Sequence, residues 1–324
     1  MSNSGEFSRA ALEETARLVH TVMPPTAQYA WPLLARRAGS EVWVKHENHT
    51  PTGAFKIRGG LAWMDDFRRL SGGRQGIVAA TRGNHGQSIA CAAARAGLAV
   101  TIVVPHGNSR EKNAAMVAFG ATLVTHGDDF NEALDHARAL ADSQGLHMAP
   151  SFHPLLVRGV ASYAMELFAA VADLHTVYVP IGLGSGLCGV IAARDALGLA
   201  TRVVGVVAAE APAYALSFDK GEAVATNSAE TLADGMAVRI PDPAALDMIR
   251  AGADRIVRVS EEEIRAAMRH LFIDTHNVAE GAGAAALAAL LQEGPARAGG
   301  RAAVILSGGN VDRHVFAEVL ADAG

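Results

Sequence analysis

Short apolar, β-branched runs alternate along this chain with longer stretches whose apolar positions recur every three or four residues. Eight runs read as strands: "EVWVKHE", "GIVAAT", "AVTIVVP", "ATLVTHG", "TVYVPIG", "RVVGVVAA", "RIVRVS" and "AAVILSGG". Between them "NHGQSIACAAARAG", "SREKNAAMVAFG", "DFNEALDHARALADSQG" and "EEEIRAAMRHLF" carry helical spacing, and several of these stretches end on the glycine that a helix C-terminus favours. Strand followed by helix, repeated, predicts an α/β architecture built of βαβ units around a largely parallel sheet. An opening helix, "SRAALEETARLVHTVM", is expected to stop by Pro24 and Pro25, which cannot continue it. No internal repeat or low-complexity linker interrupts the pattern. The segment around residue 151, "SFHPLLVRGVASYAMELF", separates a first group of about three strand–helix units from a second and is a candidate boundary.

Length and composition narrow the classes. A chain of 324 residues, half of them hydrophobic, predicts either one large α/β domain or two domains sharing a cleft. A net charge of −5 with interspersed signs leaves no basic stripe for a nucleic acid, so a small solute is the expected partner. The N-terminal stretch carries acidic residues where a signal peptide would be basic and apolar, and no run reaches the roughly 18 apolar residues of a membrane span. A cytoplasmic location is therefore expected. Cys91 and Cys188 each lie among small apolar residues, as buried free thiols do.

Three strand ends run into unusual loops, "ATRGNHGQS", "PIGLGSGLCG" and "LSGGN". In open parallel sheets ligands bind beyond the carboxyl ends of strands, so the three loops point to one crevice. Gly182, Gly184 and Gly186 allow a tight turn in which backbone amides converge on an anion at the start of the next helix, and a phosphate fits there. A dinucleotide fingerprint is matched only loosely, with Glu210 as its one candidate acid. Lys56, in "PTGAFKIRGG", follows a glycine turn where a helix would begin. Such a lysine is ordinarily a solvated charge. An amine that shares the chain with a phosphate cradle and an asparagine–histidine loop is, however, what Schiff-base chemistry on pyridoxal phosphate requires.

In their order and spacing "TGAFKIRGG", "RGNHGQS", "GLGSG" and "SGGN" resemble the fold-type II pyridoxal-phosphate enzymes, in particular the serine/threonine dehydratase and serine racemase family. The resemblance spans nearly the whole chain. It implies two open, mostly parallel sheets flanked by helices, with the cofactor in the cleft between a large domain, residues 1–62 plus 147–324, and a small one, 63–146. It implies pyridoxal 5'-phosphate joined to Lys56 as a Schiff base, Phe55 against the ring, Asn84 on the phenolic oxygen, and Gly182, Leu183, Gly184, Ser185 and Gly186 around the phosphate. Ser307 would face the pyridine nitrogen, and a hydroxyl there makes a weaker electron sink that favours β-elimination. Thr81, Arg82, Asn84 and His85 would receive the substrate carboxylate at a helix start. Lys56 would then act as base on the α-proton of a β-hydroxy amino acid, giving a 2-oxo acid and ammonia. Homodimers are expected by the same likeness.

Departures from the family pattern carry information. Ala54 replaces a serine before the Phe-Lys pair, Leu183 and Ser185 replace loop glycines, and "GVASYAMEL" stands where a Gly-Gln-Gly-Thr run is usual. Arg82 occupies the position of the serine that serves racemases as second acid–base group; arginine is too basic for that duty, so racemisation is expected to be absent or minor. Glu210 matches one acidic metal ligand of the metal-dependent members but Leu216 replaces the other, so no divalent metal is expected. Glu280 opens a helix, where an acid stabilises the terminus whether or not it reaches the cofactor. His85 would either orient its loop or touch substrate, and His106 and His153 read as loop residues. The chain runs only a short way past "SGGN", so the C-terminal regulatory domain of the biosynthetic threonine deaminases is not expected. Dehydratases for 3-hydroxyaspartate or 3-phenylserine, an amino acid racemase, a nicotinamide oxidoreductase and a cofactor-binding subunit without turnover are the alternatives.

Overall fold

The computed structural model describes residues 5–71 and 76–321, so only the first four residues of the N-terminal stretch read above fall outside it among the elements of interest. Among the described residues ten strands form two sheets: β1 Gln28–Ala30, β2 Val42–His46, β3 Ile77–Ala80, β4 Val100–Val104, β5 Thr122–Thr125, β6 His147–Met148, β7 Thr176–Pro180, β8 Arg202–Ala208, β9 Arg255–Val259 and β10 Ala302–Leu306. The larger sheet has the order β1-β2-β10-β7-β8-β9, and the smaller β5-β4-β3-β6. All pairings are parallel except that of β1 with β2. The expected α/β class with two mostly parallel sheets is what the chain adopts, and all eight strands expected from the sequence are present.

Each central strand feeds both faces of its sheet. In β10, Ala302, Val304 and Leu306 join one apolar cluster, whereas Ala303 and Ile305 join the cluster on the other face. The strand is therefore apolar at every position, the mark of a parallel strand covered by helices on both sides. The smaller sheet repeats the arrangement: Ile77 and Ala79 of β3 face one cluster, Val78 and Ala80 the other. Among the described residues no helix is long and apolar enough to cross a membrane.

The opening helix is shorter than its sequence pattern, Arg9–His20, with Ser8 as its N-cap. It ends before the prolines in a tightened last turn: the amide of Thr21, its C-cap, is shared between the carbonyls of Arg17 and Leu18, and the amide of Val22 bonds that of Val19 three residues back. Helix Lys56–Ser71 begins at Lys56 and packs against helices Asn84–Ala96 and Pro154–Ala170. The approach is backbone to backbone: a Cβ on Gly159 would lie 2.2 Å from the carbonyl oxygen of Arg58. Only glycine permits that spacing, which fixes where Lys56 emerges.

Beneath Lys56 lies a buried polar cluster with no sequence signature. The fully buried Arg58 bonds Glu47 through Nε (2.7 Å) and Glu166 through a terminal nitrogen (2.6 Å), and the buried Lys45 reaches Glu166 at 2.6 Å. Thr26, Gln28, Ser162 and His20 complete the hydrogen bonds, so two cations face two carboxylates with their donors satisfied.

Candidate active site

The cleft lies where β3, β7 and β10 end. Lys56 is the first residue of its helix, and Phe55 before it is anchored by an amide hydrogen bond of 3.0 Å to the carbonyl of Ser307, just beyond β10. Ala54 forms an isolated antiparallel bridge with Gly308 in the same place. Two of the expected loops are thereby brought together by backbone pairing alone. Among the described residues the Lys56 amine has no hydrogen-bond or ion-pair partner, and its Nζ sits 4.7 Å from the centroid of the Phe55 ring. Burial lowers its pKa to about 8 although the Glu280 carboxylate pulls it upward.

The loop after β7 leads into helix Ser185–Ala196, whose N-cap, Gly184, has φ 103° and offers no capping side chain. The first amides of that helix are thus free to meet an anion. The cradle admits no larger residues: a Cβ at Gly182 would lie 2.4 Å from the carbonyl oxygen of Gly235, and one at Gly184 2.7 Å from the Ala245 methyl. Two tyrosines brace the loop from below. Tyr163 donates to the carbonyl of Gly186 (3.1 Å) and stacks edge-on to Phe55, and Tyr214 donates to that of Leu183 (2.9 Å) while accepting from the amide of Asp242 (3.0 Å).

The third side is the loop after β3. Thr81 is buried and its hydroxyl accepts from the amide of Gly83 (3.1 Å). Helix Asn84–Ala96 starts without a side-chain cap, leaving its first amides open as well. Asn84 donates from Nδ2 to Glu280 Oε1 at 2.6 Å and accepts at Oδ1 from Asn310 Nδ2 at 2.8 Å. His85 has a buried Nε2 with no partner, and burial followed by the charge of Lys56 lowers its pKa to about 3, which keeps it neutral. Arg82 is exposed. Glu280 is the N-cap residue of helix Gly281–Ala298, but its side chain makes no capping bond and turns into the cleft instead. There its second oxygen lies 3.3 Å from the ammonium of Lys112, which also meets Asp234 at 2.5 Å. Burial raises the Glu280 carboxyl, and Lys112 opposes that rise.

Of the candidate cofactor and substrate residues, Phe55, Lys56, Thr81, Asn84, His85, Ser307 and the loop 182–186 lie on the segments that meet at this cleft, whereas Arg82 is exposed. Lys112, Asp234, Tyr163, Tyr214 and the partnering role of Asn310 were not legible beforehand. Asn310 sits inside the recognised "SGGN", but which residue it would bond depends on how three distant loops meet. His153 proves to be the N-cap of helix Pro154–Ala170, accepting from the Leu155 amide, and Cys91 and Cys188 are free thiols, the latter buried. Glu210 is exposed. Among the described residues no group of three or more metal-ligating side chains comes together.

A desolvated lysine without a partner among the described residues, in one cleft with an uncapped helix start behind a glycine loop and with a donor asparagine, suits a cofactor aldehyde that carries a phosphate. The chain belongs to the family of pyridoxal-phosphate dependent enzymes, whose family model matches residues 21–308. Its fold is the fold-type II architecture of that family. Among curated relatives it is 32% identical to the L-threonine ammonia-lyase of Thermotoga maritima over 313 residues, 95% of this chain and 77% of that one. It is 33% identical to the catabolic L-threonine dehydratase of Escherichia coli (strain K12) over 302 residues, 91% of this chain and 89% of that one. Among solved structures the processed form of threonine deaminase isoform 2 from Solanum lycopersicum superposes with a TM-score of 0.90 at 27% identity, covering 99% of this chain and 95% of that one.

The residues present fit the cofactor. Helix Ser185–Ala196 begins without a capping side chain, which leaves its first amides for a phosphate, and His85 Nε2 is a buried polar atom without a hydrogen-bond partner among the described residues beside Lys56.

Proposed function

We propose that this protein is a pyridoxal-phosphate-dependent lyase that removes the β-hydroxyl and amino groups of a threonine- or serine-type L-amino acid, releasing a 2-oxo acid and ammonia. The supporting observation is Lys56 itself, an amine with a pKa near 8 and no partner, set between a phosphate cradle and a donor asparagine. Pyridoxal phosphate, when bound, withdraws electrons from the α-carbon of an attached amino acid and so makes its α-proton removable.

In this reading the amides of residues 182–186 would hold the phosphate, Asn84 would donate to the phenolic oxygen, Phe55 would pack on the ring and the Ser307 hydroxyl would face the pyridine nitrogen. Lys56, with its pKa lowered to about 8, would be neutral in a useful fraction of molecules at neutral pH and would take the α-proton at Nζ. The open amides at the start of helix Asn84–Ala96, with the Thr81 hydroxyl, receive the substrate carboxylate. His85, held neutral chiefly by burial, adds no positive charge beside Lys56.

The named activities of the relatives favour threonine as substrate. Arg82, exposed rather than turned inward, gives no support to a substrate with a second carboxylate or to a racemase acid on the opposite face. A cytoplasmic homodimer belongs to the same reading. The exposed apolar side chains of Tyr29 and Leu33, on and beside the edge strand β1, favour association, and a monomer in sedimentation would count against it.

The deciding experiment measures 2-oxo acid and ammonia from the cofactor-loaded protein with L-threonine, L-serine, both 3-hydroxyaspartate diastereomers and 3-phenylserine, using Lys56→Ala as blank. Turnover of L-threonine or L-serine that disappears in the variant is expected. Silence on the whole panel with the cofactor bound would overturn the lyase reading.

A further inference from the structure

Asn84 can present either its oxygen or its nitrogen to a ligand, since the two ends of the amide have the same shape and opposite polarity. Which end faces the cleft is decided by a chain of hydrogen bonds that begins at a group without choice. The backbone carbonyl of Thr52 only accepts, and Asn310 Nδ2 donates to it at 2.8 Å. The same nitrogen spends its other hydrogen on Asn84 Oδ1, also at 2.8 Å. Asn84 must therefore carry its nitrogen on the opposite side, where Glu280 Oε1 accepts at 2.6 Å.

A carboxylate oxygen can only accept, so both ends of the relay enforce one orientation. The remaining N–H of Asn84 has no acceptor among the described residues. The charges facing Glu280 are Lys112 and Asp234 from across the cleft and Lys56 from beside it; the 3.3 Å approach of Lys112 to Oε2 favours the unprotonated, accepting form.

We propose that Asn310 and Glu280 are positioning residues that lock the Asn84 amide with a donor, and not an acceptor, toward the phenolic oxygen of the cofactor. The inference rests on the pyridoxal-phosphate reading of the site. It adds that the polarity of the contact is set by two further side chains through their hydrogen bonds to Asn84. Were the amide free to turn, half of its orientations would set a carbonyl oxygen against an oxygen bearing negative charge.

The test is a double-mutant cycle on cofactor affinity and on the visible absorption band of the bound cofactor, in apoprotein reloaded with pyridoxal phosphate. Asn310→Asp cannot donate to Asn84. It is expected to weaken binding by about tenfold or more and to move the band to the position it has in Asn84→Ala. In an Asn84→Ala background the same substitution should cost less than about twofold and leave the band where it is. Glu280→Leu, put through the same cycle, should show the same dependence on Asn84 and serves if the aspartate variant does not fold.

Equal losses in both backgrounds, or weaker binding with an unmoved band, would mean that Asn310 merely supports its loop, and the inference fails. Failure of the underlying reading is separate and visible first, because the unmodified protein would then not take up the cofactor at all.

Discussion

Lys112, on a helix of the smaller sheet, meets Asp234 of the larger sheet's layer at 2.5 Å, and this contact closes one side of the cleft over Glu280. Neighbours reinforce it: the Ser109 hydroxyl bonds Asp312, and Glu111 accepts from the Arg313 amide at 3.2 Å. Burial alone would lower the Lys112 ammonium, but the carboxylates of Glu280 and Asp234 outweigh burial and raise it. The helix start "SREK" thus works as a polar clasp between the two sheets.

Lys112→Met should leave the buried Glu280 with Lys56 as its nearby cation, remove the partner of Asp234 and loosen the clasp. Breaking a buried pair costs up to several kcal/mol, reduced here because Asp234 is one-third exposed, so a loss of about 2 kcal/mol in urea denaturation is expected. The same variant should raise KM for the amino acid more than it lowers kcat, because the cleft closes less often. An unchanged denaturation midpoint and KM would show that the pair is a solvated surface contact.

The lowered pKa of Lys56 makes a second expectation. Only the neutral amine condenses with an aldehyde, so uptake of pyridoxal phosphate by apoprotein should speed up about tenfold per pH unit below about 8 and level off above it. Stopped-flow absorbance would read the midpoint. A midpoint near the ordinary 10.5 would mean that the cleft does not desolvate this amine.

How much of this was readable from the chain differs from element to element. The βαβ alternation and the eight longer strands followed from periodicity, because strands buried on both faces are apolar at every residue, as β10 is. β1 and β6, of three and two residues, are too short to show any period and form only because a neighbouring strand offers its edge. The cofactor loops were legible because each needs special local chemistry: glycine where a Cβ would collide, and an uncapped helix start. Lys112, Asp234, Tyr163 and Tyr214 were not, since each uses an ordinary residue whose meaning comes from a partner between 23 and 122 positions away.

Tyr214 illustrates such a residue and can be tested. Its buried hydroxyl ties the carbonyl of Leu183 in the phosphate loop to the amide of Asp242, at the start of helix Pro243–Gly252. Tyr214→Phe leaves both groups short of one partner while keeping the ring in place. A cost of about 1–3 kcal/mol is expected, falling mainly on the loop, so the dissociation constant for pyridoxal phosphate should rise by about tenfold. Fluorescence titration of the apoprotein would measure it; unchanged affinity would show that the loop holds its shape without the brace.

The cluster under Lys56 makes the last expectation, and its sign can be worked out. Burial by itself would raise the Glu166 carboxyl, but the charge and hydrogen bonds of Arg58, then Lys45 and His20, bring it down to about 2 from 4.5. Because the folded value is depressed, the stability that Glu166 contributes is fully present above about 4.5 and is lost as the pH falls toward 2. Arg58→Leu removes the cation that both Glu47 and Glu166 face, leaving two buried carboxylates with only Lys45 and His20 nearby. At pH 7 the variant should be less stable by about 3–5 kcal/mol, as expected when one partner of a buried ion pair is lost. The penalty at Glu166 belongs to its ionised form, whose burial would no longer be offset by Arg58, so it should begin to shrink above about 4.5 and go on shrinking toward 2 as the unmodified protein loses its own advantage. Urea midpoints of the two proteins measured from pH 7 to pH 3 should therefore converge. Parallel curves would instead assign the loss to packing of the Arg58 side chain against Tyr163, whose ring centroid lies 6.0 Å from the guanidinium carbon.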